Sequence, residues 1–178
     1  QIYTGRVDSS TGSNQMAKYY NNCINFFDKI KIENDLNKIE FFPRFHEAEF
    51  GWNHANIWKK KNIFNLTFTN KEKLAEVFSN YELLIYSYIG TGFLEALTLN
   101  KPFILISSLE EWPLRNDAID DFKELKKVKI FFENNDDALS HLSDISKNPI
   151  DYWWESKNVS EVKNLFKRKY AIINNDKQ

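Results

Sequence analysis

Residues 82–107 read ELLIYSYIGTGFLEALTLNKPFILIS, and this stretch decides the fold of the chain. Its two ends, Glu82–Tyr86 and Pro102–Ser107, are nearly continuous in apolar residues, which is typical of strands buried on both faces. Between them a loop of Ser, Tyr, Gly and Thr leads into a helical segment, Gly92–Leu99. Strand, helix and strand at this spacing predict two parallel neighbours, with Glu82–Tyr86 central in the sheet and flanked by Pro102–Ser107.

The alternation of strands and helices continues on either side of this stretch. A third strand is predicted at Val128–Phe132, and helices are predicted at Lys71–Phe78, Arg115–Lys127, Asp136–Ser146 and Trp153–Ile173. The first 70 residues are less regular, with a helix predicted at Gln15–Ile30 and short strands at Ile2–Thr4, Ile39–Phe42 and Ile63–Phe68. We therefore expect an α/β fold in one domain, with a doubly wound (Rossmann-like) parallel sheet.

Length and composition exclude several classes of protein. The chain has 178 residues, enough for one domain, and 42% of them are hydrophobic, which rules out a globally disordered protein. With 24 basic and 25 acidic residues, the chain has no overall charge to attract nucleic acid or an anionic membrane. No apolar run approaches the roughly 20 residues needed to cross a bilayer. A single cysteine, Cys23, excludes an internal disulfide and is compatible with a reducing cytoplasm.

The loop after the first strand of the quoted stretch is the best candidate for a ligand site. Gly90 and Gly92 would let the backbone approach a ligand closely, and the helix that starts there presents unpaired N–H groups and a positive dipole end. With Thr91 between the glycines, this pattern predicts binding of a phosphate or diphosphate. Glu95 lies one turn into the helix, where its carboxylate could accept hydrogen bonds from ribose hydroxyls. The alternative is a tight structural turn in which Glu95 only favours the helix dipole.

Two arginines are candidates for binding an anionic group of a ligand. Arg44 follows Pro43, which ends a predicted strand, so its guanidinium could reach the same cleft and pair with a diphosphate or a sugar carboxylate. Arg115 stands in the first turn of a predicted helix, where a positive charge is unfavourable, and this favours an anionic partner such as Asp117 or a bound phosphate. For both arginines, an ordinary surface residue beside local carboxylates is the alternative.

Other chemical patterns are absent or weak. The turn is neither a Walker A loop nor a G-x-G-x-x-G dinucleotide fingerprint, and metal-ligand spacing is lacking among His46, His54 and His141. We expect His141 at the surface, and Trp153 and Trp154 in packing rather than catalysis. The hydroxyl-rich loop Arg6–Ser13 could bind phosphate or sugar hydroxyls, although polar loops have many causes. No cofactor or metal is expected, because helix N-termini and arginines can stabilise an anionic ligand without one.

Several of these pieces occur in a familiar order. They are Ser87-x-x-Gly90-Thr91-Gly92-Phe93-Leu94-Glu95-Ala96-Leu97, Asn100-Lys101-Pro102, Pro43-Arg44, Phe50-Gly51-Trp52, Glu111-Trp112-x-Leu114-Arg115 and Asp151-x-Trp153-Trp154. The first two resemble the donor-binding half of GT-B glycosyltransferases, and the others resemble bacterial transferases of surface-polysaccharide (O-antigen type) biosynthesis. The resemblance covers roughly residues 40–171. It departs from the family at Gly92, where many such proteins have Ser or Thr, so that one hydroxyl contact is missing.

The resemblance implies a nucleotide-sugar-binding domain that transfers a sugar to a surface glycan or glycolipid. The implied substrate-binding residues are Arg44, Ser87, Gly90, Thr91, Gly92, Glu95 and Arg115, and no catalytic residue is identified. The acceptor site would lie mostly in an N-terminal domain of the same protein, so this part alone would bind a nucleotide weakly and turn nothing over. The opening Gln1-Ile2-Tyr3, which has no Met and no signal peptide, likewise suggests a fragment. We expect a cytoplasmic protein, with peripheral attachment to the inner membrane face left open.

Two other functions remain open at this point. A nucleotide-sugar epimerase of the same two-domain architecture would need further acid and base residues, which the sequence does not assign. A doubly wound interaction module, flavodoxin-like or receiver-like, would bind a protein partner without catalysis. A receiver should have paired acidic residues after its first strand, and Asp8 is the only acid near that position.

Overall fold

The computed structural model describes residues 13–33, 36, 39–42, 56, 60 and 74–171 of the chain. Its elements, in chain order, are α1 (Ser13–Ile30), α2 (Leu74–Asn80), β1 (Leu84–Tyr86), α3 (Gly92–Thr98), β2 (Phe103–Ile106), a short 3-10 helix (Asn116–Ala118), α4 (Ile119–Lys127), β3 (Phe131–Phe132), α5 (Asn135–Ile145), α6 (Asp151–Trp154) and α7 (Lys157–Tyr170). The predicted alternation of strands and helices is confirmed from α2 onward.

The three described strands form one parallel sheet in the order β1-β2-β3. Leu84 pairs with Phe103, and Ile106 pairs with Phe132. The parallel arrangement is therefore as predicted, and β2 rather than β1 is the middle one of the three described strands, so the central position expected of Glu82–Tyr86 is not seen among them. The burial pattern agrees with that order, since Phe103 is only 1% exposed whereas the side chains of β1 are half-buried.

Helices cover both faces of the sheet, so each face has its own apolar cluster. Phe103 and Leu105 of β2 belong to one cluster, which α3, α4, α6 and α7 complete with Phe93, Phe122, Trp154 and Phe166. Ile104 points the other way because successive side chains alternate, and α1 and α5 complete that cluster with Phe26, Ile30, Leu139 and Leu142. Burying one such side chain is worth about 1.5–3 kcal/mol, so the two clusters are the main source of stability.

A buried lysine interrupts the long last helix that the sequence predicts at Trp153–Ile173. The chain ends α6 at Trp154 and begins α7 at Lys157, because the Trp154 carbonyl accepts a 2.7 Å hydrogen bond from Lys163 Nζ instead of continuing the helical ladder. Lys163 Nζ also donates to Asn100 Oδ1 at 2.9 Å and lies 4.0 Å from the centre of the Trp154 ring. Burial lowers the pKa of this ammonium group below its ordinary value. The charge is thus held by polar partners and an aromatic face.

The same cluster fixes the turn between α3 and β2. Asn100 has a φ of 53°, a left-handed backbone that Asn adopts more readily than most residues. Trp154 Nε1 donates to the Asn100 carbonyl at 3.0 Å. These hydrogen bonds therefore hold the Asn-Lys-Pro turn against α6 and α7, beside Trp154.

The third strand is shorter than predicted. Of Val128–Phe132, only Phe131–Phe132 is strand, because Val128 ends α4 and Lys129 has a left-handed φ of 62°. Residues 39–42 are not in a strand, contrary to the expectation for Ile39–Phe42. The strands predicted at Ile2–Thr4 and Ile63–Phe68 lie outside the described residues.

His141 is buried rather than at the surface, so that expectation is wrong. It is 4% exposed, and its ring lies 5.5 Å from the centre of the Phe132 ring and 4.7 Å from that of Trp153. Neither ring nitrogen has a hydrogen-bond partner in the described part of the chain. Burial, and then the nearby positive charge of Lys129, lowers the pKa of His141 to about 4. The imidazole is therefore a neutral packing group between the sheet and α6.

This environment predicts a loss of stability in mild acid. The ordinary histidine pKa is 6.5 and the folded-state pKa is about 4, so the unfolded chain binds the proton more tightly between these values. The free energy of unfolding should fall by about 3 kcal/mol from this residue as the pH drops through that window. His141→Phe, which keeps an aromatic ring, should lose this part of the pH dependence. Urea denaturation of both proteins at pH 7 and 4.5 measures it, and equal pH dependence would contradict the prediction.

Candidate functional site

Two loops meet at one edge of the sheet because β1 and β2 are parallel and end there together. Loop 87–91 follows β1 and loop 107–115 follows β2. Helix α1 contacts both: Tyr19 Oη and Ser87 Oγ are 2.6 Å apart, and Asn22 Nδ2 donates to Glu111 Oε1 at 3.2 Å. Lys18 adds an exposed ion pair with Glu110. In sheets of this kind ligands bind beyond the carboxyl ends of the strands, so this edge is the candidate site.

The helix after β1 begins where the sequence places it. α3 starts at Gly92 with Thr91 as its N-cap residue, and the Thr91 side chain makes no capping hydrogen bond. The Thr91 carbonyl accepts from the N–H groups of Leu94 and Glu95, at 3.0 and 3.3 Å. Within the described part of the chain, the N–H groups of Gly92 and Phe93 have no acceptor. These two donors are available to an anion or to water.

Both glycines of the turn lie against aromatic rings. A Cβ at Gly92 would stand 3.0 Å from Cε1 of Tyr86, whose hydroxyl donates to the Gly92 carbonyl at 3.0 Å. A Cβ at Gly90 would stand 2.6 Å from Cε2 of Tyr88. Neither glycine has a left-handed backbone. In the structure, the group that approaches each glycine closely is therefore a tyrosine ring. Packing against that ring favours a glycine whether or not a ligand binds.

The other predicted residues of this turn differ in their availability. Glu95 is exposed in the first turn of α3, and its carboxylate makes no hydrogen bond or ion pair with any residue that the structure describes. Thr91 is exposed as well. The Ser87 hydroxyl is half-buried and already bonded to Tyr19, so a ligand would have to share it.

Of the two predicted arginines the structure describes only Arg115, and none of the contacts described for it joins it to the turn. Arg115 pairs with a local carboxylate, as in the alternative interpretation: its Nε and Nη2 donate to the two carboxylate oxygens of Asp117 at 3.1 and 2.8 Å. Its side chain is 85% exposed, and it precedes a 3-10 turn rather than standing inside α4. Arg44 and the loop Arg6–Ser13 lie outside the described residues.

Sequence reasoning missed the polar face of α1. Tyr19, Asn22 and Cys23 are spaced three and four residues apart, so they share one helix face, and this spacing is the pattern that could have identified them. Burial raises the pKa of the Tyr19 hydroxyl and of the Glu111 carboxyl, and it raises the pKa of the Cys23 thiol to about 11. The thiol and the phenol therefore keep their protons at neutral pH and act as hydrogen-bonding groups rather than nucleophiles.

Metal and membrane features were sought in the same part of the chain. Among the described residues, no three His, Cys, Asp or Glu side chains lie close enough together to hold a metal ion. None of the helices described there is long and apolar enough to span a bilayer.

Comparison with known protein families identifies the chain. A family model described as LIC12162 family transferase matches residues 1–178, the whole chain. No curated protein and no solved structure matches.

The hydrogen bond between Tyr19 and Ser87 should couple α1 to the loop after β1. Tyr19→Phe and Ser87→Ala each remove one partner, so in a double-mutant cycle we expect a coupling energy of about 0.5–1.5 kcal/mol. Urea denaturation of the two single variants and the double variant measures it. Tyr152→Phe is the control, because Tyr152 is exposed and its change should leave stability unaltered. Strictly additive effects of the first two changes would show that the contact does not stabilise the fold.

Proposed function

Because the chain belongs to the LIC12162 family of transferases, we propose that it transfers a sugar from a nucleotide-activated donor to a surface glycan or glycolipid. In this proposal it is the donor-binding half of a GT-B-type enzyme of polysaccharide biosynthesis. Membership of a transferase family supports group transfer over the epimerase and over the non-catalytic module. The reaction would take place in the cytoplasm, and a glycolipid acceptor would be reached from the inner membrane face.

The observation that carries the proposal is the start of α3. The amide groups of Gly92 and Phe93 lie within one helical turn of the exposed carboxylate of Glu95, and none of these three groups has a hydrogen-bond partner among the described residues. Amide donors at the positive end of a helix suit phosphate oxygens, and a free carboxylate suits the hydroxyls of a sugar. Together they match the two neighbouring parts of a nucleotide, its diphosphate and its ribose.

Each residue of the turn then has a defined task in the transfer. The acceptor hydroxyl attacks the anomeric carbon of the donor sugar and loses its proton, and the bond from that carbon to the diphosphate oxygen breaks. Negative charge therefore grows on the diphosphate, where the N–H groups of Gly92 and Phe93 and the Thr91 hydroxyl would stabilise it. Glu95 would hold the ribose. The acceptor and the catalytic base would be supplied mostly by a second domain.

The arginines would have to act differently from each other. Arg115 makes two hydrogen bonds to the Asp117 carboxylate. A phosphate could bind Arg115 only by replacing this exposed ion pair, and such pairs stabilise a protein by about 1 kcal/mol or less. Arg44 would add charge from the loop after Pro43. We assign Arg115 a secondary role for that reason.

Glu95→Gln tests the ribose contact. We expect affinity for nucleoside diphosphates to fall by about 1–2 kcal/mol, the value of one charge-assisted hydrogen bond, while affinity for inorganic pyrophosphate stays unchanged. Calorimetric titration with UDP, GDP, ADP and TDP measures both. Glu161→Gln is the matched control, since Glu161 is an exposed glutamate of α7 and should have no effect.

Gly92→Val tests the phosphate contact in the same titrations. Valine puts a branched side chain beside the N–H groups of Gly92 and Phe93, and we expect nucleoside diphosphate and pyrophosphate affinity to fall roughly tenfold or more. Gly92→Ala separates this effect from packing, because its Cβ makes the same 3.0 Å approach to Tyr86 Cε1 with no branch. If neither Glu95→Gln nor Gly92→Val alters nucleotide affinity, the turn is structural and the proposed site is wrong.

A further inference from the structure

Tyr88 is an exposed aromatic residue in the loop between β1 and α3. It is 44% exposed, whereas the neighbouring Tyr86 is half-buried and packs against Gly92. Its position is two residues before Gly90, at the edge of the sheet where the loops after β1 and β2 meet. An exposed ring at that edge presents a flat apolar surface to whatever binds there.

The Tyr88 ring has two aromatic neighbours and lies close to the backbone of Gly90, although the residue is 44% exposed. Trp112, from the loop after β2, lies beside it with ring centres 5.8 Å apart and planes tilted by 37°. Tyr19 of α1 meets it edge-on, with ring centres 6.4 Å apart at 87°. Below it is Gly90, where a Cβ would come within 2.6 Å of the ring. Two other segments of the chain and the backbone of its own loop therefore fix the orientation of one exposed side chain.

We infer that Tyr88 is the stacking platform for a flat ring of the nucleotide-sugar donor, either its base or its sugar. The inference rests on the proposed function, and it adds to the phosphate and ribose contacts a third contact that recognises a ring. Holding an aromatic ring in place before binding removes part of the entropy cost that the ligand would otherwise meet. Gly90 is the residue that makes this possible, because any side chain there would push the ring away.

The chemistry of the platform favours a ring over other ligand groups. An aromatic face binds planar bases and the C–H faces of sugars, and it offers nothing to a free phosphate. Glu111 precedes Trp112 in the loop after β2, and Asn22 shares a face of α1 with Tyr19. Asn22 Nδ2 donates to Glu111 Oε1, so these two polar side chains are bonded to each other, and the aromatic surface is what remains for a ligand. The contact should therefore discriminate between nucleotides and inorganic pyrophosphate.

The test compares Tyr88→Leu and Tyr88→Phe with the unchanged protein, by calorimetric titration with pyrophosphate, UDP, GDP, ADP, TDP and the matching UDP- and GDP-sugars. Tyr88→Leu should lower nucleotide affinity about tenfold, Tyr88→Phe should retain it, and pyrophosphate should bind all three equally. A loss with every nucleoside diphosphate assigns the base, and a loss confined to nucleotide sugars assigns the sugar. Tyr152→Leu, at another exposed tyrosine, is the control and should change nothing.

A second variant separates stacking from loop damage. Gly90→Ala should weaken nucleotide binding because its Cβ displaces the ring, and it should have no further effect when combined with Tyr88→Leu. Nucleotide binding that is equal in Tyr88→Leu and the unchanged protein overturns this inference and leaves the proposed function standing. Equal losses in Tyr88→Phe and Tyr88→Leu also overturn it, since they would assign the hydroxyl instead of the ring. Failure of the unchanged protein to bind any of these nucleotides overturns both.

Discussion

The described fold depends on burying β2 on both faces at once. Its N–H and C=O groups must be bonded because no water reaches them, and only parallel neighbours on either side meet that requirement here. Its side chains alternate between two apolar clusters, so helices are needed above and below the sheet. Parallel neighbours in turn bring the loops after β1 and β2 to one edge. The position of the candidate site thus follows from the burial of β2 on both faces.

Much of this arrangement is readable from the sequence, and two of the failures have a common cause. The runs around β1 and β2 predict parallel strands because their apolar character is local. The break before α7 depends on Lys163 reaching Trp154, and the burial of His141 depends on rings supplied by β3 and α6. A lysine or histidine in an amphipathic helix looks like a surface residue when its partners are distant in the chain. Local periodicity carries no information about such partners.

The features of the candidate site likewise divide into those that follow from local sequence and those that depend on residues distant in the chain. The start of α3 at Gly92 and the exposure of Glu95 follow from local pattern, and both are observed. The glycines, however, are explained equally well by the rings of Tyr86 and Tyr88, which sequence reasoning did not consider. A glycine indicates that some group approaches the backbone closely, but it does not distinguish a ligand from a side chain of the protein. The role of α1 was missed because its partners lie far along the chain.

The docking of α1 has a consequence for the order in which the protein can fold. Asn22 and Asn135 are bonded across 113 residues, and the apolar side chains of Phe26 and Ile30 complete a cluster with β3 and α5. At about 5–20 residues per second, a ribosome needs on the order of ten seconds to make the segment between them. During that time the apolar face of α1 has emerged without its binding surface. The first described helix to be synthesised therefore cannot complete its docking until β3 and α5 have been made.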